Sequence, residues 1–276
     1  MIENGRSFYK MSGSGNDFVF IDARLEPGGR LEDPAVVQAV CARGTGVGAD
    51  GIVFLRSQDN GIAIRYLNSD GSLAALCGNA TLCSARLAAE LGIVDRQHEF
   101  DIATDSGGVR ARFRKGQPEI DLQPVTELRE CFEAGLEARE ARIGFALVGV
   151  PHLVILCDDI EDAPVVQRGR KLRHHPALAH GANVNFVSKT ADRWRMRTYE
   201  RGVEAETLAC GTGAVATGLL LAAWGEAPES VELETRSGRV LNVRHNRING
   251  RFLPSLSGEA RIVFVGTLGE LFQTTT

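Results

Sequence analysis

Cys77-Gly78-Asn79-Ala80 opens an alanine- and leucine-rich segment that runs to Leu91, and Cys210-Gly211-Thr212-Gly213-Ala214 opens another that runs to Trp224. The first is preceded by Asn68-Ser69-Asp70-Gly71-Ser72, the second by Tyr199-Glu200-Arg201-Gly202. Each stretch therefore reads as strand, polar turn, Cys-Gly and helix, and the chain carries the pattern twice. The repeat predicts two similar domains, each presenting one cysteine to a shared cleft.

The neighbouring sequence fits this plan. Short β-branched and aromatic runs bounded by turn residues read as strands: Phe18 to Ile21, Ile52 to Leu55, Ile62 to Leu67, Leu153 to Leu156, Val184 to Val187 and Ile262 to Val265. Helical patterns are fewer. Ala80 to Leu91 and Ala214 to Trp224 are the clearest, and Pro34 to Ala42 and Glu130 to Arg142 are weaker. The expected class is α+β, a mixed α/β chain richer in strands than in helices. The boundary is placed at Gln123-Pro124, giving an N-terminal domain over 1–123 and a C-terminal domain over 124–258, with 259–276 returning to complete the first.

The 276 residues, 43% hydrophobic and 24% charged, are enough for two ordinary cores. A net charge of -4 argues against a dedicated nucleic-acid binder, so no nucleic-acid partner is expected. The opening MIENGRSFYK lacks a basic segment followed by an apolar one, and no apolar run approaches the roughly 18 residues of a membrane helix. A cytoplasmic chain without a membrane partner is expected, its six cysteines reduced.

A helix N-terminus carries free backbone N–H groups and partial positive charge. A thiol placed there ionises more easily, and the amides behind it bind a carboxylate. Gly78, Gly211 and Gly213 allow close approach of a ligand to the backbone, and Asn79 and Thr212 can cap or donate. With both helices aimed into one cleft, an amino-acid carboxylate would lie between two positive helix ends and its Cα–H between two sulfurs. One thiolate removes the proton and the opposite thiol returns one to the other face. That pair performs inversion with no cofactor. Cys41, Cys131 and Cys157 read as buried structural residues, and Cys83 as core packing within the first helix. Asp50 and Asp70 lie in glycine-containing turns, where an aspartate commonly satisfies its own backbone.

On these residues the chain resembles the diaminopimelate epimerase family. The similarity covers nearly the whole length: Lys10-Met11 with Gly15-Asn16-Asp17-Phe18, Arg43 with Gly46-Val47-Gly48-Ala49-Asp50-Gly51, the Asn68 and Cys77 turns, Pro151-His152, Asn183-Val184-Asn185-Phe186, Tyr199-Glu200-Arg201-Gly202, and Glu206 through Gly213. The resemblance implies two pseudo-symmetric domains, each a curved sheet around a central helix, with the active site in the interdomain cleft, and commonly a homodimer. It implies conversion of LL-2,6-diaminoheptanedioate to the meso form, in lysine and peptidoglycan-precursor biosynthesis, without cofactor or metal. Cys77 and Cys210 match the family's catalytic thiols. Asn16, Asn68, Gly78, Asn79, Asn183, Glu200, Arg201, Gly211 and Thr212 match its substrate contacts, with His152 and Glu206 behind them. Arg201 can fork a second carboxylate and Glu200 can neutralise a distant ammonium.

The turn between Arg201 and Cys210 is one residue longer than the family's, through Val203-Glu204-Ala205, and two positions depart from its pattern. Val150 stands where the family usually has a substrate-contacting Asn, and Leu82 where it has Arg. Both leave the thiol pair intact and bear on the substrate, so a racemase for another amino acid is the nearest alternative. A thiol redox or metal-binding protein is more remote, because Cys77 and Cys83 are too far apart for a Cys-x-x-Cys pair.

Overall fold

The computed structural model describes residues 5–74, 77–191 and 193–271. The chain divides into two compact units, one running to Ile120 and resuming from Glu259, the other spanning Asp121–Gly258.

The first unit begins with strands β1 (Ser7–Gly13) and β2 (Asn16–Asp22), then helix α1 (Pro34–Cys41), strands β3 (Gly51–Gln58) and β4 (Gly61–Asn68), helix α2 (Gly78–Glu90), and strands β5 (Phe100–Thr104), β6 (Gly107–Arg114) and β7 (Gln117–Asp121). β2 pairs parallel with β3 and β4 parallel with β5, while β1–β2, β3–β4, β5–β6 and β6–β7 are antiparallel. Phe18 to Ile21 are all buried, so β2 is covered on both faces. Val19 and Ile21 meet Val36, Val37 and Val40 of α1 in one core cluster, and α2 packs against β1, β2 and β4.

The second unit repeats this order. A short strand β8 (Leu128–Arg129) edges β9 (Glu140–Val148). Then come β10 (Val150–Cys157), α3 (Val165–Arg173), β11 (Asn183–Thr190), β12 (Arg193–Glu200), the short β13 (Ala205–Thr207), α4 (Gly211–Ala223), β14 (Ser230–Glu234), β15 (Val240–Ile248) and β16 (Arg251–Gly258). The pairings repeat too: β10 with β11 parallel, β11 with β12 antiparallel, β12 with β14 parallel, β14 with β15 and β15 with β16 antiparallel. α3 seats Val165 and Leu172 on Leu153, Ile155, Val184 and Phe186. α4 is buried on nearly every side and touches β9, β10, β11, β14, β15 and β16, as an all-apolar helix must. The last strand, β17 (Ala260–Thr267), pairs antiparallel with β1 of the first unit, and α2 packs on it.

Two expectations are corrected. Glu130 to Arg142 is not a helix. Gly135 and Arg139 take positive φ (65° and 70°), and Glu140 onward joins β9. The spacing of Phe132 and Leu136 imitated a helical stripe, but Phe132 is pinned into the core by its backbone N–H bond to the Ile143 carbonyl at 2.8 Å. The helix that accompanies α4 in this unit is α3, whose sequence VVQRGRKLR is disguised by charge and an internal glycine. A Cβ on Gly169 would lie 2.5 Å from Tyr199 Cβ, so close packing explains the glycine. Cys131, expected to be buried, is exposed in the loop ahead of β9.

Candidate active site

The two Cys-Gly turns are local copies. Cys77 is the N-cap of α2 with φ -110° and ψ 111°, and Cys210 the N-cap of α4 with φ -137° and ψ 110°. Both helices have 13 residues. The intrahelical ladders start with Thr81 N to Cys77 O at 3.0 Å and Ala214 N to Cys210 O at 2.9 Å. The amides of Gly78 and Asn79, and of Gly211 and Thr212, therefore lie ahead of the first helical bond, at the positive end of each helix.

In the first unit the turn is held from beneath. Asn79, 2% exposed, donates through Nδ2 to Asn16 Oδ1 at 2.7 Å. Asn16 Nδ2 donates to Asp50 Oδ2 at 3.0 Å, and the Asp17 amide donates to the same oxygen at 3.2 Å. Arg43 Nη2 donates to both Asp50 Oδ1 at 2.7 Å and Asp17 Oδ1 at 2.6 Å, and Lys10 Nζ donates to Asp17 Oδ2 at 2.6 Å and to the Gly48 carbonyl. Burial pushes the Asp17 carboxyl up, but bonds and charge from Arg43 and Lys10 outweigh it and hold the group below the usual carboxylate range. Asp50 was expected to satisfy its own turn; it instead joins Asn16 to Arg43. Asp70 does behave as expected, accepting from Ser72 N at 2.8 Å. Asn68 ends β4 and donates to Ser72 Oγ at 3.0 Å. Ile64, Tyr66, Ala80 and Thr81 line a small recess beside Cys77.

In the second unit a different chain of bonds reaches the turn. His152, fully buried on β10, contacts Thr212 Oγ1 through Nε2 at 3.1 Å and Asn185 Nδ2 through Nδ1 at 3.2 Å. Thr212 Oγ1 lies 3.7 Å from Cys210 Sγ. Burial, aided by the Arg201 charge, pushes His152 down to about 3, so the ring is neutral near pH 7. Asn183 Oδ1 accepts from the Arg201 amide at 2.7 Å, fixing the turn that follows Glu200, and Arg201 Nη1 donates to the His180 carbonyl at 3.4 Å. Glu206 accepts a two-point fork from Arg197, at 2.7 Å on each oxygen. Val150 is half-buried opposite Val148 at the start of β10, and Leu82 is buried in α2.

Sequence reading alone did not assign site-building roles to Asp50, Arg43, Asp17 or Asn185. For Asn185 a signal was available: an amide inside the apolar run Val184 to Val187 must find partners once buried. A cavity of about 500 Å³ lies at the other end of the β1–β2 hairpin, around Arg6, Tyr9 and Asp22. Its one buried guanidinium, on Arg6, already binds Glu26 and the Asp22 carbonyl.

Two sheet-and-helix units, each capping its inner helix with a cysteine, are the arrangement expected of the epimerase family that this sequence resembles. The model of the diaminopimelate epimerase family matches residues 8–125 and 144–263. The diaminopimelate epimerase of Gemmatimonas aurantiaca is 46% identical, with 96% of this chain and 100% of the relative covered. That of Aquifex aeolicus is 38% identical over 95% and 98%. A phenazine biosynthesis protein of the PhzF family from Bacillus anthracis superposes with a TM-score of 0.73, covering 95% of this chain and 98% of its own; at 14% identity this likeness shows the fold alone. This chain belongs to the diaminopimelate epimerase family.

Proposed function

We propose that the protein converts LL-2,6-diaminoheptanedioate to its meso form by exchanging one α-proton between Cys77 and Cys210, in lysine and peptidoglycan-precursor synthesis. The observation that carries this reading is the identical placement of the two cysteines, each the N-cap of a 13-residue helix. In the forward direction one thiolate removes the α-proton, and negative charge develops on the adjacent carboxylate. The amides of Gly78 and Asn79, and of Gly211 and Thr212, meet that charge already oriented, which is where preorganised donors act most strongly. The opposite thiol then protonates the other face. One proton leaves and one arrives, so the pair closes the balance without a cofactor.

The distal end of the substrate is a second amino acid. Arg201 supplies a fork for its carboxylate and Glu200 a charge for its ammonium, with Asn16, Asn68 and Asn183 contributing neutral contacts. The fixed backbone of Arg201 favours this assignment, because Asn183 holds its amide at 2.7 Å. His152 supports the Cys210 turn from behind. The same reading has the protein working in the cytoplasm as a homodimer, which light scattering on the purified protein tests.

Purified enzyme in deuterium oxide, given LL-diaminoheptanedioate and no cofactor, is expected to form the meso isomer with solvent deuterium at the inverted carbon. Cys77→Ala and Cys210→Ala are each expected to abolish inversion while retaining a cooperative melt. Full activity in either variant defeats the two-thiol scheme. Turnover of another L-amino acid with none of this substrate defeats the substrate assignment and points back to Val150.

A further inference from the structure

The bonds around His152 fix where its proton lies. Asn185 Nδ2 donates to the Leu153 carbonyl at 2.9 Å, and Asn185 Oδ1 accepts from Thr198 Oγ1 at 2.9 Å. The carbonyl can only accept, so the amide orientation is set by its own partners. The group facing His152 Nδ1 is therefore an N–H donor, and Nδ1 is the acceptor. The neutral ring then carries its proton on Nε2, which donates to Thr212 Oγ1 at 3.1 Å. With its oxygen accepting from the ring, the Thr212 hydroxyl turns its own proton toward Cys210 Sγ at 3.7 Å.

The arrangement is tight. A Cβ on Gly213 would fall 2.3 Å from Asn185 Oδ1 and 3.2 Å from Cys210 Sγ, so amide and sulfur press on the same Cα. The first unit carries other residues at the matching positions. Register places Phe18 opposite Gly51 where the second unit has His152 opposite Asn183. Two residues on, Val53 faces Tyr66 where Asn185 faces Thr198. Ala80 stands in the place of Gly213. The turn at Cys77 rests on Asn79, whose Nδ2 donates to Asn16 Oδ1.

We infer that Asn185 is a positioning residue which, through His152 and Thr212, directs a hydroxyl proton onto the Cys210 sulfur, so that the Cys210 thiol ionises at lower pH than it would without that donor. This deepens the two-thiol reading and rests on Cys210 being a reacting group. A donor aimed at sulfur favours the anion, because hydrogen bonds to a charged acceptor are the stronger ones. Burial, aided by the Arg201 charge, opposes a second proton on His152 and keeps the ring neutral. Glu206, the acid nearest in sequence, is bound by Arg197.

The test is alkylation by iodoacetamide across pH on the resting enzyme without substrate, with Cys77 and Cys210 followed separately by peptide mass spectrometry. Thr212→Val should move the Cys210 midpoint up by about one to two pH units, Thr212→Ser should restore it, and Cys77 should not move. Asn185→Leu should raise the Cys210 midpoint in the same way. An unmoved Cys210 midpoint in folded Thr212→Val, or equal movement of both cysteines, overturns the inference. The readout needs no turnover, so its failure is separable from failure of the epimerase reading, which the deuterium experiment decides.

Discussion

Asn79 and Asn16, 63 positions apart in the chain, are joined by a 2.7 Å hydrogen bond that ties the first turn of α2 to the β1–β2 hairpin. The hairpin is pressed against that turn: a Cβ on Gly13 would meet Cys83 Sγ at 2.9 Å and the Asn79 carbonyl at 3.0 Å. Behind Asn16 stand Asp50 and then Arg43. The Cys77 turn is thereby positioned by an ion-pair cluster that also holds Asp17 and Lys10.

Asn16→Ala removes the acceptor for Asn79 and a donor to Asp50. A buried amide left without its partner costs about 1–3 kcal/mol, and a displaced catalytic turn loses on the order of 100-fold in rate. We expect kcat/KM to fall by about that factor while a cooperative melt persists at lower temperature. Activity near that of the unsubstituted enzyme would show that the Cys77 turn holds itself.

Gly213→Ala should be far more damaging than its sequence position suggests. The new Cβ meets Asn185 Oδ1 at 2.3 Å. That side chain cannot yield without breaking bonds to Leu153, Thr198 or His152. Overpacking of this kind costs about 1–3 kcal/mol, and here it also displaces the sulfur. The reverse change in the first unit, Ala80→Gly, touches no such amide and should cost about 1 kcal/mol or less. Chemical denaturation of the two variants side by side measures the contrast, and equal losses would contradict it.

The parts of this molecule legible in the sequence are those written as local pattern. Cys77 and Cys210 could be placed at helix starts because a Cys-Gly before an alanine-rich run is a strand-to-helix turn in either unit. The buried strands were visible as apolar runs for the same reason. α3 was not, because its inward face is only Val165, Arg168, Gly169 and Leu172, and Arg168 reads as a surface residue. It is buried because Glu140 and Glu137 receive its guanidinium, at 2.7 Å and 3.0 Å. Asn185 was missed as a site builder because its partners lie on other strands, and Asp50 because it links Asn16 of β2 to Arg43 of the loop after α1; no spacing within one segment records a partner on another.

The remaining cysteines should separate by burial. Burial pushes the Cys41 and Cys157 thiols up to about 11, and Cys83 higher still. Cys131 is exposed. Native alkylation at pH 7.5 followed by peptide mapping should label Cys131 and spare Cys41, Cys83 and Cys157. Cys131→Ser should leave epimerisation unchanged. Rapid labelling of Cys83 in folded protein would mean that α2 opens locally.

His245 offers the clearest pH test. It is 7% exposed on β15, its ring stands edge-on to Phe252 at 5.4 Å, and neither ring nitrogen has a hydrogen-bond partner among the described residues. Burial pushes its pKa below the ordinary 6.5, and the Glu229 charge opposes this only in part. The sign follows from linkage. As pH falls through 6.5 the unfolded chain takes up a proton that the folded ring resists, so stability is lost on acidification. His152, held down to about 3, acts in the same direction over the range between 6.5 and 3. His245→Phe keeps the ring and removes the unpaired nitrogens, which should stabilise the protein by about 1–2 kcal/mol at neutral pH. The advantage should grow as pH drops below 6.5. Urea unfolding at pH 7.5 and 5.5 measures both, and a variant whose advantage shrinks in acid would reverse the assigned sign.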